Sequence, residues 1–213
     1  IIAEYGADTF RLYEMYMGPL DASKPWNTRD IIGVFRFLQR AWRLVVDEET
    51  GTLKLQDKPH KDVERGLHRT IAKVSADIEK LAYNTAIASM IEFVNLATTH
   101  HGLSADQLDR FARILCPFAP HIAEEFRSML GLDGLCSLAA WPNYDESMLI
   151  DESIVMPIQI KGKLQGRITV PTDMGEAEII AAALAEEQIA KILDGNKPRK
   201  VIVVPGKIVN VIP

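Results

Sequence analysis

Several features that would place a chain in a special class are missing from these 213 residues. No apolar run approaches the ~18 uninterrupted residues that a membrane span requires, and neither a signal peptide nor a low-complexity segment is present. The cysteines, Cys116 and Cys136, lie apart without a CxxC pairing, which argues against a disulfide framework and favours a reducing, cytoplasmic compartment. The chain begins Ile-Ile rather than Met, so we expect a piece of a longer protein.

Signatures of catalysis are missing as well. His121-x-x-Glu124-Glu125 has part of the spacing of a zinc-protease helix but lacks the required second histidine. The segment 162–167 does not have P-loop spacing, and no Ser/His/Asp or Cys/His set forms a local motif. The sequence therefore predicts no catalytic residue, no cofactor site and no metal site in this chain.

Charge is present in ordinary amount but is unevenly distributed. Hydrophobic residues make up 47% of the chain and charged residues 25%, which are typical values for a globular protein. From Ser153 to Pro213, eight Lys/Arg stand against six Asp/Glu, a net charge of +2. The preceding part carries sixteen against twenty-three, a net charge of −7, which gives the total of −5. A basic end on an acidic body indicates a polyanionic partner for that end.

Hydrophobic periodicity predicts an α+β protein of several domains, with an antiparallel α-helical bundle followed by a small α/β domain. Apolar residues three and four positions apart predict helices over about 7–17, 28–46, 60–81, 84–101, 104–116 and 120–130. Beyond 153 the period becomes two, which predicts a strand, a turn at 162–166, a second strand over 167–170, one helix over 175–193, and strands over 199–204 and 207–212. We divide the chain into a connecting segment 1–27, the helical bundle 28–132, a linker 133–152 and the C-terminal α/β domain 153–213.

Local signals support several of these helix ends. Asn27 or Thr28 can cap the helix that follows. Ser104 with Gln107 fits a capping box. Pro120 suits the first turn of the last bundle helix.

Rows of cations are the most informative functional feature. Arg36, Arg40 and Arg43 recur at spacings of four and three, so they project from one helix face. A guanidinium can donate two parallel hydrogen bonds to a phosphate, which suits a nucleic-acid backbone. The alternative is a solvated helix face with local ion pairs. In the C-terminal domain, six further cations would form a phosphate-binding surface if they converge on one sheet edge: Lys161, Lys163, Arg167, Arg199, Lys200 and Lys207.

Blocks of sequence in a fixed order resemble one known family. YGADTFRLYEMYMGPLDASKPWNT followed by GVFRFLQRAWRL is similar to the segment after the catalytic core of bacterial leucyl-tRNA synthetases. LHRTIAKVSADIEKLAYNTAIASMIEFVN, CPFAPHIAEEF and AWPNYDE resemble the family's helical anticodon-binding-type domain. IQIKGKLQGRITVP and RKVIVVPGKIVNVI resemble its C-terminal domain. The resemblance covers essentially the whole chain.

The resemblance implies a tRNA-binding part of a ligase that joins leucine to its tRNA with ATP and Mg²⁺. The family's HIGH and KMSKS signatures and its editing domain would lie upstream, so this chain alone is expected to be inactive. Its implied partners are a leucine-accepting tRNA and the missing catalytic and editing domains, with no membrane. The family pattern also implies phosphate or tRNA contacts for Arg36, Arg40, Arg43, Lys163, Arg167 and Lys207.

The chain departs from the family pattern at three positions. Lys161 stands where the family commonly has Asn, and Gln165 stands where it commonly has Arg, so individual contacts in this hairpin are open. Arg127 occupies a place where an aromatic residue is common, which predicts altered bundle packing rather than an RNA contact.

Two other functions fit parts of the sequence. A helical protein-interaction module with an adaptor tail would also combine a bundle with a small α/β unit. The equivalent part of a valyl- or isoleucyl-tRNA synthetase would share the bundle. Those relatives end in a coiled coil or in cysteine-rich additions, whereas this chain ends in a basic strand–helix–strand unit.

Overall fold

A computed structural model of the chain describes residues 1–27, 29–150, 153–172, 174–196 and 198–212. It divides into two compact units, Ile1–Leu149 and Ile150–Pro213, each with its own hydrophobic core. Within the described residues, no helix is both long and apolar enough to span a membrane.

The first unit is built from α-helices. They are α1 (Ile2–Tyr5), α2 (Ala7–Tyr16), α3 (Ile31–Val45), α4 (Lys61–Glu79), α5 (Tyr83–Thr99), α6 (Ala105–Leu115) and α7 (Pro120–Met129). Two short 3₁₀ helices follow, Cys136–Leu138 and Glu146–Leu149. The helix α2, which the sequence places in a connecting segment, contributes the fully buried Leu12 and Tyr13 to the core of this unit.

The helix α3 packs through the apolar stripe that its sequence predicts. Its buried side chains are Ile31, Val34, Phe37, Leu38, Ala41, Leu44 and Val45. The helix begins three residues later than predicted, because local side-chain bonds shape the preceding turn. The Asn27 side chain accepts a hydrogen bond from the backbone N–H of Arg29 and donates one to Asp30. Such an Asx turn competes with helical backbone bonding; Thr28 lies outside the described residues.

Helices α4 and α5 form an antiparallel hairpin. The predicted helix over 60–81 ends at Glu79, and Leu81 takes a left-handed φ of 56° with its side chain exposed. The buried carboxylate of Asp77 accepts hydrogen bonds from Lys73 and from Thr85, and therefore links the end of α4 to the start of α5. This turn explains why the apolar period does not continue through Leu81.

The two helix-start signals later in the bundle are confirmed. Ser104 and Gln107 form a reciprocal capping box at the start of α6. Pro120 is the first residue of α7. The buried Asp8 of α2 also stabilises this helix end, because its carboxylate accepts bonds from the backbone N–H groups of His121 and Ile122.

His121 and Arg127 therefore have structural partners. The His121 ring lies 2.7 Å from the carboxylate of Asp8. Arg127 is buried and donates to Asp109 at 2.6 Å, so it takes part in bundle packing.

The segment 133–149 packs onto the helices of the first unit. The indole N–H of Trp141 donates to Ser75 at 2.8 Å, and the backbone N–H of Asp145 donates to His68 at 2.8 Å. Cys116 and Cys136 are both buried free thiols. Burial first, and the neighbouring Cys116 second, raise the pKa of Cys136 to about 12, so this thiol stays protonated at neutral pH.

The second unit is a four-stranded sheet, in its described part, with two helices on one face. Its elements are β1 (Ser153–Ile160), β2 (Lys163–Pro171), α8 (Glu176–Ala185), α9 (Glu187–Leu193), β3 (Lys200–Val204) and β4 (Ile208–Ile212). The strand order is β2-β1-β4-β3, with β1 parallel to β4 and the other pairs antiparallel. Alternate side chains of all four strands pack against the helices, as a period of two requires.

Two sequence predictions for this unit are wrong in detail. The turn occupies Lys161 and Gly162, both at positive φ, instead of residues 162–166, and β2 begins at Lys163. A register shift in the β1–β2 pairing absorbs the extra residue before Gly166. The predicted single helix over 175–193 is two helices, because Glu186 is extended and its carboxylate caps α9 by accepting from the backbone N–H of Ile189.

One ionic network holds α4, α6 and the 133–149 segment together. Glu64 accepts hydrogen bonds from Gln107 at 2.9 Å and from Arg110 at 2.7 and 2.9 Å, and it contacts His68 at 3.1 Å. Burial alone would raise the pKa of Glu64, but the hydrogen bonds from Gln107, Arg110 and His68 outweigh it and hold the pKa below its usual value.

We expect Glu64→Gln to lower the free energy of unfolding by about 1–3 kcal/mol at neutral pH, because two charge-assisted bonds are lost. A lowered pKa in the folded state means that this stabilisation is complete above about pH 5 and is lost as the pH falls through the folded value. Urea unfolding at pH 7 and at pH 3 measures the difference. The exposed Glu125→Gln is the matched control, and an equal effect of both variants at pH 7 would contradict the network's role.

Candidate nucleic-acid interface

The three predicted arginines of α3 lie on its exposed side. Arg36, Arg40 and Arg43 all face solvent, opposite the buried stripe that contains Phe37 and Ala41. At 1.5 Å of rise per residue, the row extends roughly 10 Å along the helix. We call Arg36, Arg40 and Arg43 the α3 row.

The members of the α3 row differ in their partners. Arg43 donates to Glu48 at 2.9 Å, and both side chains are more than half exposed. Arg36 and Arg40 contact no carboxylate among the residues that the structure describes. The alternative of a solvated helix face with local ion pairs therefore applies to Arg43. The guanidinium groups of Arg36 and Arg40 remain available to an external anion.

Other arginines of the bundle are used internally. Arg110 contacts Glu64 and Asp106, and Arg113 and Arg127 both contact Asp109. Arg11 donates to the backbone carbonyls of residues 117 and 118. Because these groups already have partners, the free arginines of α3 are a distinct feature of the first unit.

One cation near the α3 row was missed by the sequence analysis. Arg29 is exposed and precedes Arg36 by seven residues, which is close to two helical turns. It lies in the turn that leads into α3, where backbone bonds already run from Ile32 to Arg29 and from Gly33 to Asp30. The seven-residue spacing between Arg29 and Arg36 was the sequence signal that could have placed Arg29 beside the α3 row.

Four of the six predicted cations of the second unit share one end of its sheet. Lys161 lies in the β1–β2 turn, and Lys163 pairs with Ile160 at the same end. On the other side of the sheet, Lys200 of β3 pairs with Ile212 of β4, which follows the residue that pairs with Ile160. Arg199 directly precedes Lys200 in the chain. We call Lys161, Lys163, Arg199 and Lys200 the sheet-end cluster.

The other two cations lie elsewhere, so the six do not converge on one edge. Arg167 is in the middle of β2, opposite Pro157, on the sheet face away from the helices. Lys207 lies in the β3–β4 turn at the opposite end of β3 from Lys200. Lys163 and Lys200 are themselves on the two outer strands, three strand spacings or roughly 14 Å apart.

Apart from Lys191, which pairs with Glu187 within α9, the charges in the described part of the second unit are segregated by element. Its described acidic residues lie in or beside α8 and α9: Glu176, Glu178, Glu186, Glu187 and Asp194. None of the six predicted cations has an ion-pair partner in the described part of this unit. The sheet-end cluster is thus an exposed set of positive charges without ion-pair partners among the described residues.

A family model now adds evidence independent of this geometry. Residues 60–181 match the model described as "Anticodon-binding domain of tRNA ligase". The chain belongs to this family of anticodon-binding domains. The match begins just ahead of α4 and ends within α8, so it covers the α4–α7 helices of the bundle and the first two strands of the sheet.

Relatives of this anticodon-binding domain protein are leucine–tRNA ligases. The chain is 50% identical over 98% of its length to the leucine–tRNA ligase of Saccharopolyspora erythraea, and 47% identical over 100% to that of Rhodococcus jostii. It spans 22% and 23% of those two proteins. These similarities favour a leucine enzyme over the valyl, isoleucyl and adaptor alternatives.

A solved structure supports the same relationship. The chain matches the leucyl-tRNA synthetase in a ternary complex with tRNA and LeuAMS from Agrobacterium radiobacter K84, with a TM-score of 0.73 and 27% identity. The match covers 99% of this chain and 29% of that one. The expected α+β fold is therefore confirmed for this anticodon-binding domain family member.

The free arginines should matter little for folding. We expect each alanine substitution in the α3 row to change the free energy of unfolding by about 0.5 kcal/mol or less, as for exposed sites generally. Arg110→Ala should lower it by about 1–3 kcal/mol, because Glu64 loses a charged partner in a partly buried place. Urea unfolding of these single variants distinguishes the exposed arginines of the α3 row from an arginine that stabilises the bundle. A loss in any single α3-row variant as large as that in Arg110→Ala would mean that the α3 row stabilises the bundle.

Proposed function

We propose that this chain is the tRNA-docking part of a leucine–tRNA ligase. One observation carries the proposal: Arg36 and Arg40 are exposed and unpaired among the described residues, on a chain about half identical to such ligases along its whole length. Guanidinium groups in this state are suited to phosphates, because they can donate bidentate hydrogen bonds without first leaving an internal partner.

In this proposal, the two units bind the tRNA by backbone and shape. The α3 row and the sheet-end cluster contact phosphates, while Arg167 and Lys207 provide separate cationic points on the second unit. Phosphate contacts fix the position of an RNA but do not read its bases. The domain division at 1–27, 28–132, 133–152 and 153–213 is part of the proposal, with docking assigned to the second and fourth segments.

We assign the chemistry of the ligase to other parts of the longer protein. The relatives are more than four times as long as the stretch that matches, which leaves room for sites that bind leucine, ATP and Mg²⁺ and for editing. The chain is accordingly proposed to have no catalytic activity by itself. We also propose a cytoplasmic location, with which the free thiols of Cys116 and Cys136 are compatible.

The first test replaces Arg36 and Arg40 together by alanine and measures the affinity for a leucine tRNA by filter binding. Two phosphate contacts of about 1–2 kcal/mol each predict a loss of at least tenfold. The slope of log K against log[salt] should also become shallower by about one to two, because fewer counterions are released.

The single variant Arg43→Ala is the matched control for this test, since its guanidinium is already paired with Glu48. It should lose less affinity than either Arg36→Ala or Arg40→Ala. Unchanged affinity in the Arg36/Arg40 double variant at low salt would reject the α3 row as an RNA contact. A parallel titration with a non-cognate tRNA shows how much of the binding is specific for leucine tRNA.

The second test addresses the sheet-end cluster. Lys163→Ala with Lys200→Ala should weaken tRNA binding by about tenfold or more, because both groups lie at the same end of the sheet without internal partners. Lys207→Ala, at the opposite end, is the comparison and should have a smaller effect. Filter binding at 50 mM salt measures both. A larger loss in Lys207→Ala would assign the contact to the β3–β4 turn instead.

A further inference from the structure

Three side chains of types that can bind metal ions meet at the end of the α4–α5 hairpin opposite its turn, where α4 begins and α5 ends. His60 Nδ1 lies 3.8 Å from Asp62 Oδ2, and His100 Nε2 lies 3.9 Å from the same oxygen. One ligand atom from each of the three residues lies within 4.8 Å of the others. The two imidazole rings stack with centroids 4.0 Å apart. We call His60, Asp62 and His100 the hairpin triad.

The helix geometry explains how residues forty positions apart come together. His60 is the N-cap of α4, and Asp62 follows in its first turn. His100 is the C-cap of α5, and its backbone N–H is bonded to the last turn of that helix. Because the two helices run antiparallel, the start of one lies beside the end of the other. The triad therefore sits on the ends of two regular elements.

The loop beneath the triad is held from both sides. The backbone N–H of Gln56 donates to the carbonyl of Leu103 at 2.8 Å, and its side chain donates to the carbonyl of His101 at 2.7 Å. These bonds connect the segment that enters α4 with the segment that leaves α5. Ligand positions fixed in this way need little ordering when an ion binds, which favours affinity.

The electrostatic setting is compatible with a cation. A helix N-terminus alone disfavours positive charge, and His60 marks that end of α4. The C-terminus of α5, at His100, carries the opposite partial charge and lies at the same place. The carboxylate of Asp62 adds a full negative charge. The carboxylate of Asp62 and the C-terminus of α5 therefore attract a divalent ion, against the positive charge of Lys61 in the same turn of α4.

We propose that the hairpin triad binds a divalent transition-metal ion of the zinc class. Two imidazoles and one carboxylate suit Zn²⁺, Ni²⁺ or Co²⁺, whereas Mg²⁺ and Ca²⁺ prefer oxygen ligands. In a tetrahedral zinc site, ligand atoms are roughly 3.3 Å apart, as follows from metal–ligand bonds of about 2.0–2.1 Å. The nitrogen–oxygen distances of 3.8 and 3.9 Å need to shorten by about half an ångström. The ligand atoms lie within 4.8 Å of one another, and the stacked imidazole rings must rotate so that both in-plane nitrogen lone pairs point at the ion.

The rival explanation is that the same side chains only cap helices. His60 Nδ1 accepts a hydrogen bond from the backbone N–H of Asp62 at 3.3 Å, which is long for an N–H···O or N–H···N bond. A capping role explains His60 but does not require His100 to stack on it or Asp62 to approach both rings. Metal binding would use the nitrogen lone pair that now accepts this weak bond.

The test is a Zn²⁺ titration of the tag-free full chain by calorimetry, with thermal unfolding as a second readout. We expect one ion per chain. At a free zinc concentration of 100 times the dissociation constant, the Tm should rise by about 5–10 °C, since the ion binds the folded hairpin. Co²⁺ should give a visible absorption spectrum at the same stoichiometry.

Two variants and one control decide the assignment. His100→Gln should reduce zinc affinity at least tenfold and therefore lower the Tm shift at the same zinc concentration by about half or more, and Asp62→Asn should weaken binding in the same direction. His101→Asn changes a neighbouring exposed histidine outside the triad and should bind zinc as the wild type does. The Tm of each variant without metal reports any loss of folding separately. No saturable binding by the wild type, or equal binding by His100→Gln, would overturn the proposal.

Discussion

Burial of the apolar stripe of α3 is the constraint on which the proposed interface depends. Phe37, Ala41 and Val45 are enclosed by the bundle, and a helix that buries one side must present the other side to solvent. The arginines at 36, 40 and 43 lie on that outer side, so packing in the core determines where they point. A guanidinium held on a packed helix is also better placed for a rigid RNA backbone than one on a loop.

The internal ion pairs then determine which cations remain free to bind a partner molecule. In the first unit, Glu64, Asp106 and Asp109 engage Arg110, Arg113 and Arg127. The Arg110–Glu64 pair connects α6 to α4 and the Arg127–Asp109 pair connects α7 to α6, whereas the other two pairs lie within α6. The α3 row retains two arginines that these carboxylates do not reach. In the second unit, the described acids lie with α8 and α9, which leaves the sheet-end cluster unneutralised. A chain with a net charge of −5 can therefore still offer positive surfaces to a polyanion.

Periodicity and capping chemistry predicted the helices well, because each depends on residues close in sequence. The stripe of α3 and the capping box of Ser104 and Gln107 belong to this class. Glu186 was missed because a run rich in Ala and Glu favours helix throughout, while its carboxylate capping α9 is a feature of the folded unit. The pair of Arg43 with Glu48 and the meeting of His60 with His100 depend on tertiary placement, which spacing along one helix does not encode. The length of β3 places Lys200 and Lys207 at opposite ends of that strand, although the sequence analysis groups both near one hairpin.

The central claim is that Arg36 and Arg40 lie against tRNA phosphates in the bound state. The most direct measurement is arginine modification by phenylglyoxal, read residue by residue by mass spectrometry, with and without saturating leucine tRNA. The account predicts that tRNA protects Arg36 and Arg40 strongly, while Arg11, which already donates to backbone carbonyls, keeps its own slow rate. Equal modification of Arg36 and Arg40 in the free and the tRNA-bound protein would contradict it.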